Sequence, residues 1–145
     1  GVIQVTELNA AIMSRLGTVT ALTSNLAYLK NGGTAPAIID GQAPEGQTYP
    51  YVVFSLQGGG DLNDNPHRTK SLVLFIRAYS THSLKQAGSI DAVIDTALHL
   101  VPFSNVTGWT NTWLARESDL ETVENPPTGT QVFMRGGLYR NRITK

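Results

Sequence analysis

The residues best suited to chemistry lie in one stretch, GGGDLNDNPHRT, from Gly58 to Thr69. Asp61, Asn63 and Asn65 occupy alternate positions, which is how a calcium loop opens: oxygen ligands at spaced positions wrap a hard cation. Such a loop also needs glycine at its sixth position and a bidentate glutamate at its twelfth. Here those positions hold Pro66 and Leu72. The prolyl ring and the missing carboxylate defeat the geometry, so a polar, turn-forming loop is the better reading. The histidines are His67, His82 and His99, none with a second histidine at chelating spacing, and there is no cysteine. A closed zinc site therefore has no ligand set. The GGGD run does not lead into a helix carrying a lysine, as a phosphate cradle does. No G-x-S-x-G elbow, Walker or dinucleotide pattern occurs. A hydrolytic or ligand-binding site would have to use His67, Asp61 and Asp64, which share one glycine-rich loop with little preorganisation. The residues thus point away from catalysis and imply no metal and no cofactor.

The chain that must hold these residues has 145 positions, which suits one domain spanning 1–145. Eleven basic and eleven acidic residues cancel. Nucleic-acid binders draw most of their affinity from a basic excess, so neutrality argues against a binder. It does not argue against proximity to DNA, because a surface that lets DNA pass without gripping it is also near neutral. Without cysteine there are no disulfides, which fits a reducing compartment. No run approaches the roughly 20 apolar residues of a spanning helix. The start, GVIQVTELNAAIMSRL, lacks the basic-then-apolar order of a secretory leader.

Periodicity divides the chain. Thr6 is a helix cap, and Val5, Leu8, Ile12 and Leu16 form one apolar stripe that Gly17 and Thr18 interrupt. Val19, Leu22, Leu26 and Leu29 predict a second helix, ended by KNGGTAP (Lys30 to Pro36). AIID (Ala37 to Asp40) reads as a short strand and GQAPEGQTYP as a loop. YVVFSLQ (Tyr51 to Gln57) is apolar on both faces and reads as a central strand. In KSLVLFIRAYS (Lys70 to Ser80), Leu72, Leu74, Ile76 and Ala78 share one face; Val73, Phe75, Arg77 and Tyr79 share the other. The twelve residues between these strands exceed an efficient hairpin turn and read as a functional loop, mobile in a free subunit.

The clearest helix is Ser83 to Val101, with Ser83 as cap, Pro102 as stop, and Lys85, Asp91 and Asp95 off its buried stripe. Two closing strands, Gly108 to Ser118 and Thr130 to Ile143, flank an acidic turn, DLETVENPPTG. Gly136 and Gly137 mark a bulge or a close backbone approach. Trp109 and Trp113 fall on one side of a strand and read as core, with an exposed interface patch as the alternative. This order predicts an α+β fold: a largely antiparallel or mixed sheet of about four to five strands with helices on one face.

The final hairpin is acidic near its turn, at Glu117, Asp119, Glu121 and Glu124. It is basic towards its far end, at Arg135, Arg140, Arg142 and Lys145. Solvated surface is the ordinary reading, but the layout also suits head-to-tail contact between identical subunits.

The segment DGQAPEGQTYPYVVF (Asp40 to Phe54), the strand ending in RAYS, the helix containing AGSIDAVIDTAL, and the Arg-, Gly- and Tyr-rich closing hairpin together form a layout spanning nearly the whole chain. It resembles the tail-terminator or tail-completion (tail-to-head joining) proteins of long-tailed bacteriophages. The resemblance implies a structural virion protein, not an enzyme, assembled in the host cytoplasm and sited at the head-proximal end of the tail. Copies would form a ring, typically hexameric, on the tail tube, end its polymerisation and present a joint to the head-tail connector. DNA would pass through the lumen without sequence-specific binding, and no membrane would be involved. A head-closure or neck protein, or a minor tube subunit, is the alternative within the same particle. On this reading the residues expected at interfaces are Gly58, Gly59, Gly60, Asp61, Asn63, Asp64, His67, Arg68, Glu121, Glu124, Arg140 and Arg142.

Overall fold

In the computed structural model, residues 6–62, 69–104, 106–125, 127 and 129–145 are described. They form three helices, α1 (Thr6–Thr18), α2 (Thr20–Thr23) and α3 (Leu84–Leu98), and five strands. The strands are β1 (Ile38–Asp40), β2 (Tyr51–Leu62), β3 (Thr69–Ser80), β4 (Thr110–Glu124) and β5 (Val132–Thr144). The sheet order is β1-β2-β3-β5-β4, parallel between β1 and β2 and antiparallel elsewhere. The expected α+β class holds.

Alternation along β3 explains the layering. Leu72, Leu74, Ile76 and Ala78 are buried and join Leu8, Ile12 and Leu16 of α1, Ile90, Ile94 and Leu98 of α3, and Val52 and Phe54 of β2 in one core. Each of the larger of these side chains, alanine aside, contributes about 1.5–3 kcal/mol when taken out of water. The helices therefore lie on one sheet face only. Val73, Phe75, Arg77 and Tyr79 point to the opposite face. Part of that face is covered where residues 27–50 fold back over the β1 end, so that Ala37, Ile39, Tyr51 and Val53 form a second small core with Leu29 and Tyr49 against them. Gln47 anchors this excursion. Its buried amide accepts from the Lys30 N–H at 2.9 Å and donates to the carbonyls of Tyr28 at 2.8 Å and Thr48 at 3.1 Å.

Several boundaries differ from expectation. The first helix includes Gly17 and Thr18 and already has Thr6 within it, while Val5 lies outside the described residues. The second helix ends at Thr23, not Leu29. Beyond it the backbone is claimed by tertiary bonds, Ala27 N–H to Pro50 O and Leu29 N–H to Ala35 O, which draw the chain into extended form. Asn31 and Gly33 turn it back with positive φ. The last helix ends at Leu98; Val101, expected on its buried stripe, is exposed. Its start is as expected, with Ser83 accepting from the Gln86 N–H at 3.0 Å.

The two hairpins depart most. β2 continues through Gly58–Gly60 to Leu62, pairing Gly60 with Ser71 and Asp61 with Lys70 after a bulge that follows Gln57. Much of the expected mobile loop is therefore strand, because β3 supplies an edge that overrides the weak strand preference of glycine. Likewise β4 runs through DLETVE, expected as a turn, to Glu124, because β5 pairs with it throughout. The bulge lies not at Gly136 and Gly137 but in β4, between Arg116 and Ser118, across from Tyr139 and Leu138; a second bulge lies between Asn111 and Trp113. That second bulge separates the tryptophans. Trp109 packs on the core, whereas Trp113 is 44% exposed. Gly136 marks the close approach: a Cβ there would sit 2.0 Å from the Ile76 carbonyl oxygen.

Candidate functional site

The densest polar constellation centres on Arg116, which no sequence pattern singled out. On α3, Asp91 and Asp95 stand one turn apart, and Asp91 is buried, not off the stripe as expected. Arg116 projects from the helix-facing side of β4, directly across the ladder from Tyr139 of β5. Its Nη1 donates to Asp91 Oδ1 at 2.9 Å and to the Tyr139 hydroxyl at 3.1 Å. Its Nη2 donates to Asp91 Oδ2 at 2.8 Å and to the Gly136 carbonyl at 2.8 Å. Its Nε donates to Asp119 Oδ1 at 2.7 Å. A guanidinium has five N–H donors, and all five are used within the chain. Tyr139, fully buried, passes its own hydroxyl proton's hydrogen bond to Asp95 at 3.0 Å.

The electrostatics follow from this packing. The bidentate bond to Asp91 holds the Arg116 pKa above its ordinary value, against the opposing effect of burial. Burial likewise pushes the Tyr139 phenol up, opposed by the Arg116 charge. Gly137 makes room for the guanidinium, since a Cβ there would lie 2.7 Å from Arg116 Cζ. A cleft of about 340 Å³ beside the cluster is lined by Asp95, His99, Arg116, Glu117, Ser118 and Asp119. The His99 Nδ1 accepts from the Arg116 backbone N–H at 3.0 Å. With its donors already committed, Arg116 acts as a clamp joining α3, β4 and β5. The signal in the sequence was faint: two aspartates at i and i+4 beside an apolar helix stripe.

The residues expected at interfaces separate into two groups. Across the ladders, Gly60 aligns with Ser71 and Ser71 with Arg142, while Gln57 aligns with Val73 and Val73 with Arg140. Gly58, Gly59, Gly60 and Asp61 on β2 thus share one end of the sheet with Arg140 and Arg142. Asn63, Asp64, His67 and Arg68 lie outside the described residues. Glu121 and Glu124 lie at the opposite end, across from Arg135 and Val132. Along β5 the alignments with Glu121 and Glu124 lie five and ten positions from Arg140 and Arg142, about 17 and 33 Å. Some charges are met within the chain: Glu121 binds Arg135 at 2.6 Å, and Glu117 accepts from Arg140 Nε at 3.2 Å.

No protein-family model matches the chain, and no curated protein matches it. Among solved structures, a chain from the virion of a native gene transfer agent particle superposes with a TM-score of 0.67. The match covers 95% of this chain and 95% of that one, at 17% sequence identity. What the two share is the fold. Among the described residues, no helix is long and apolar enough to cross a membrane.

Proposed function

We propose that this chain is a structural subunit of a virion, a tail terminator. Copies assemble as a ring on the head-proximal end of the tail tube, end tube polymerisation and provide the joint to the head-tail connector. The observation that carries this reading is the end-to-end likeness to a virion chain, 95% of both lengths. The resemblance of DGQAPEGQTYPYVVF and the closing hairpin to tail-terminator proteins adds to it. In such a role the protein makes and breaks no bond. It works through one surface for the tube, one for the connector and lateral ones for its neighbours, while DNA passes through the lumen without sequence-specific contact. The sheet suits this division, because its two ends, about 40 Å apart along the 13-residue β5, carry different residues.

The test is negative-stain imaging with native mass measurement, on the purified protein alone and after mixing with tails that lack their terminator. Closed rings, hexameric by mass, or density added at one tail end that restores joining to heads, support the reading. Long tubes from the protein alone would make it a tube subunit, and binding to heads but not tails a head-closure or neck protein. Failure to bind either would sink the virion reading altogether.

A further inference from the structure

The sheet face opposite the helices is both apolar and cationic. Phe75 and Leu138 are half-buried there, and Trp113 at its β4 margin is 44% exposed. The register places Arg77, Arg140 and Arg142 on this same face. Arg140 binds Glu117, and Arg77 lies 5.4 Å from the Phe75 ring centroid. Among the described residues, neither Arg77 nor Arg142 has a carboxylate partner.

A surface of the opposite character exists on the same chain. β4 is an edge strand. Its outer side is covered at Leu114 and Arg116, where the Leu100 N–H donates to the Leu114 carbonyl at 2.8 Å and His99 accepts from Arg116. From Ser118 to Glu124 no backbone hydrogen bond covers that outer side among the described residues. Four carboxylates lie along this stretch: the register sets Asp119 and Glu121 on its helix side, while Glu124 stands at the margin of the open face, as Glu117 does through its bond to Arg140. Asp119 and Glu121 keep their side chains 86% and 52% exposed despite their in-chain ion pairs. Glu124 has no cationic partner among the described residues.

We infer that the acidic outer flank of β4 in one copy seats on the cationic open sheet face of the next, its carboxylates answering Arg77 and Arg142. Charge decides against the alternatives within one kind of chain. Two open faces stacked centre on centre would oppose arginine with arginine, and two β4 flanks would oppose carboxylate with carboxylate. Joining different patches is a heterologous contact, and heterologous contacts close into rings when the rotation permits. Phe75, Leu138 and Trp113 supply the apolar centre that such a contact needs, with the charges at its rim. The inference rests on the ring reading above and names the surfaces that build the ring.

The test uses two charge-reversed variants of the full chain, Arg77→Glu with Arg142→Glu, and Glu121→Arg with Glu124→Arg. Assembly is read on terminator-deficient tails, so a wild-type chain that is monomeric alone still reports. Each variant should fold with the wild-type circular dichroism spectrum yet assemble about tenfold less or worse, and an equimolar mixture of the two should recover rings. Should the double arginine variant misfold, Arg142→Glu alone, on an exposed side chain, carries the same expectation. Rings from either variant at wild-type efficiency, or a mixture that fails to recover them, would overturn the proposed contact while leaving the ring function intact. Wild-type protein that leaves tails uncapped would overturn the function instead.

Discussion

Arg116 and Asp91 meet in a two-pronged ion pair, at 2.9 and 2.8 Å, that binds the edge strand β4 to the helix α3 across the top of β5. Both side chains are largely withdrawn from water, at 14% and 12% exposure. Breaking such a pair leaves a charge without its partner in a poorly solvated place. Arg116→Ala should therefore cost about 3–5 kcal/mol. Arg116→Lys should recover only part of this, because an ammonium cannot reproduce the two-pronged geometry. Urea denaturation of the three proteins checks both; a loss under about 1 kcal/mol for the alanine variant would contradict the clamp.

Gly137 should prove to be coupled to that clamp. An added Cβ would meet the guanidinium at 2.7 Å, so Gly137→Ala should destabilise the wild type and have little effect once Arg116 is alanine. A double-mutant cycle measures the coupling, and additive effects would refute it. Gly136→Ala is different, because its Cβ would strike backbone at 2.0 Å. It should cost about 3 kcal/mol or more in either background.

Alkaline pH should weaken the fold through Tyr139 and Tyr51. Burial raises both phenols above the ordinary tyrosine value in the folded chain. The folded state then holds its protons where the unfolded state has released them. The stability these groups contribute is complete below the unfolded value of about 10 and falls as pH rises above it. Stability measured from pH 8 to 11 should decline with a slope that Tyr139→Phe reduces. An unchanged slope in the variant would place the titration elsewhere.

Asn141 is fully buried on the helix-facing side of β5, and neither atom of its amide has a hydrogen-bond partner. Its ladder neighbours are Leu72 and Leu114. Asn141→Leu, close in shape, should stabilise the chain by about 1–3 kcal/mol by removing an unsatisfied amide from the core. Thermal unfolding reads this directly, and a lower midpoint would show that the amide has a use the fold depends on.

How much of this was legible in the sequence depends on what each residue needed to know. β3 and α3 were readable because their side chains alternate, or repeat every three to four, against a single core. The ends of β2 and β4 were not. GGG and DLETVE carry weak strand preferences, and only the neighbouring strand, distant in sequence, makes them extend. The Arg116 clamp was hidden for a related reason. Its parts lie at Asp91, Asp95, Arg116, Asp119, Gly136 and Tyr139, and only the β5-β4 pairing under α3 brings them together. Of the residues expected at interfaces, the described ones sort towards opposite ends of the sheet, a separation that local pattern alone could not have made, and Asn63, Asp64, His67 and Arg68 lie outside the described residues.

The opposed ends of the sheet have a bearing on how such a protein can change. Leu62 and Thr69 close one end of the β2–β3 ladder, while Glu124 and Val132 close the far end of the β4–β5 ladder. Substitutions separated by much more than about 10 Å act almost independently. One tip can therefore be rewritten while the other keeps its residues and contacts. The sheet between them serves as an insulator, so the two ends can diverge independently on a single small chain.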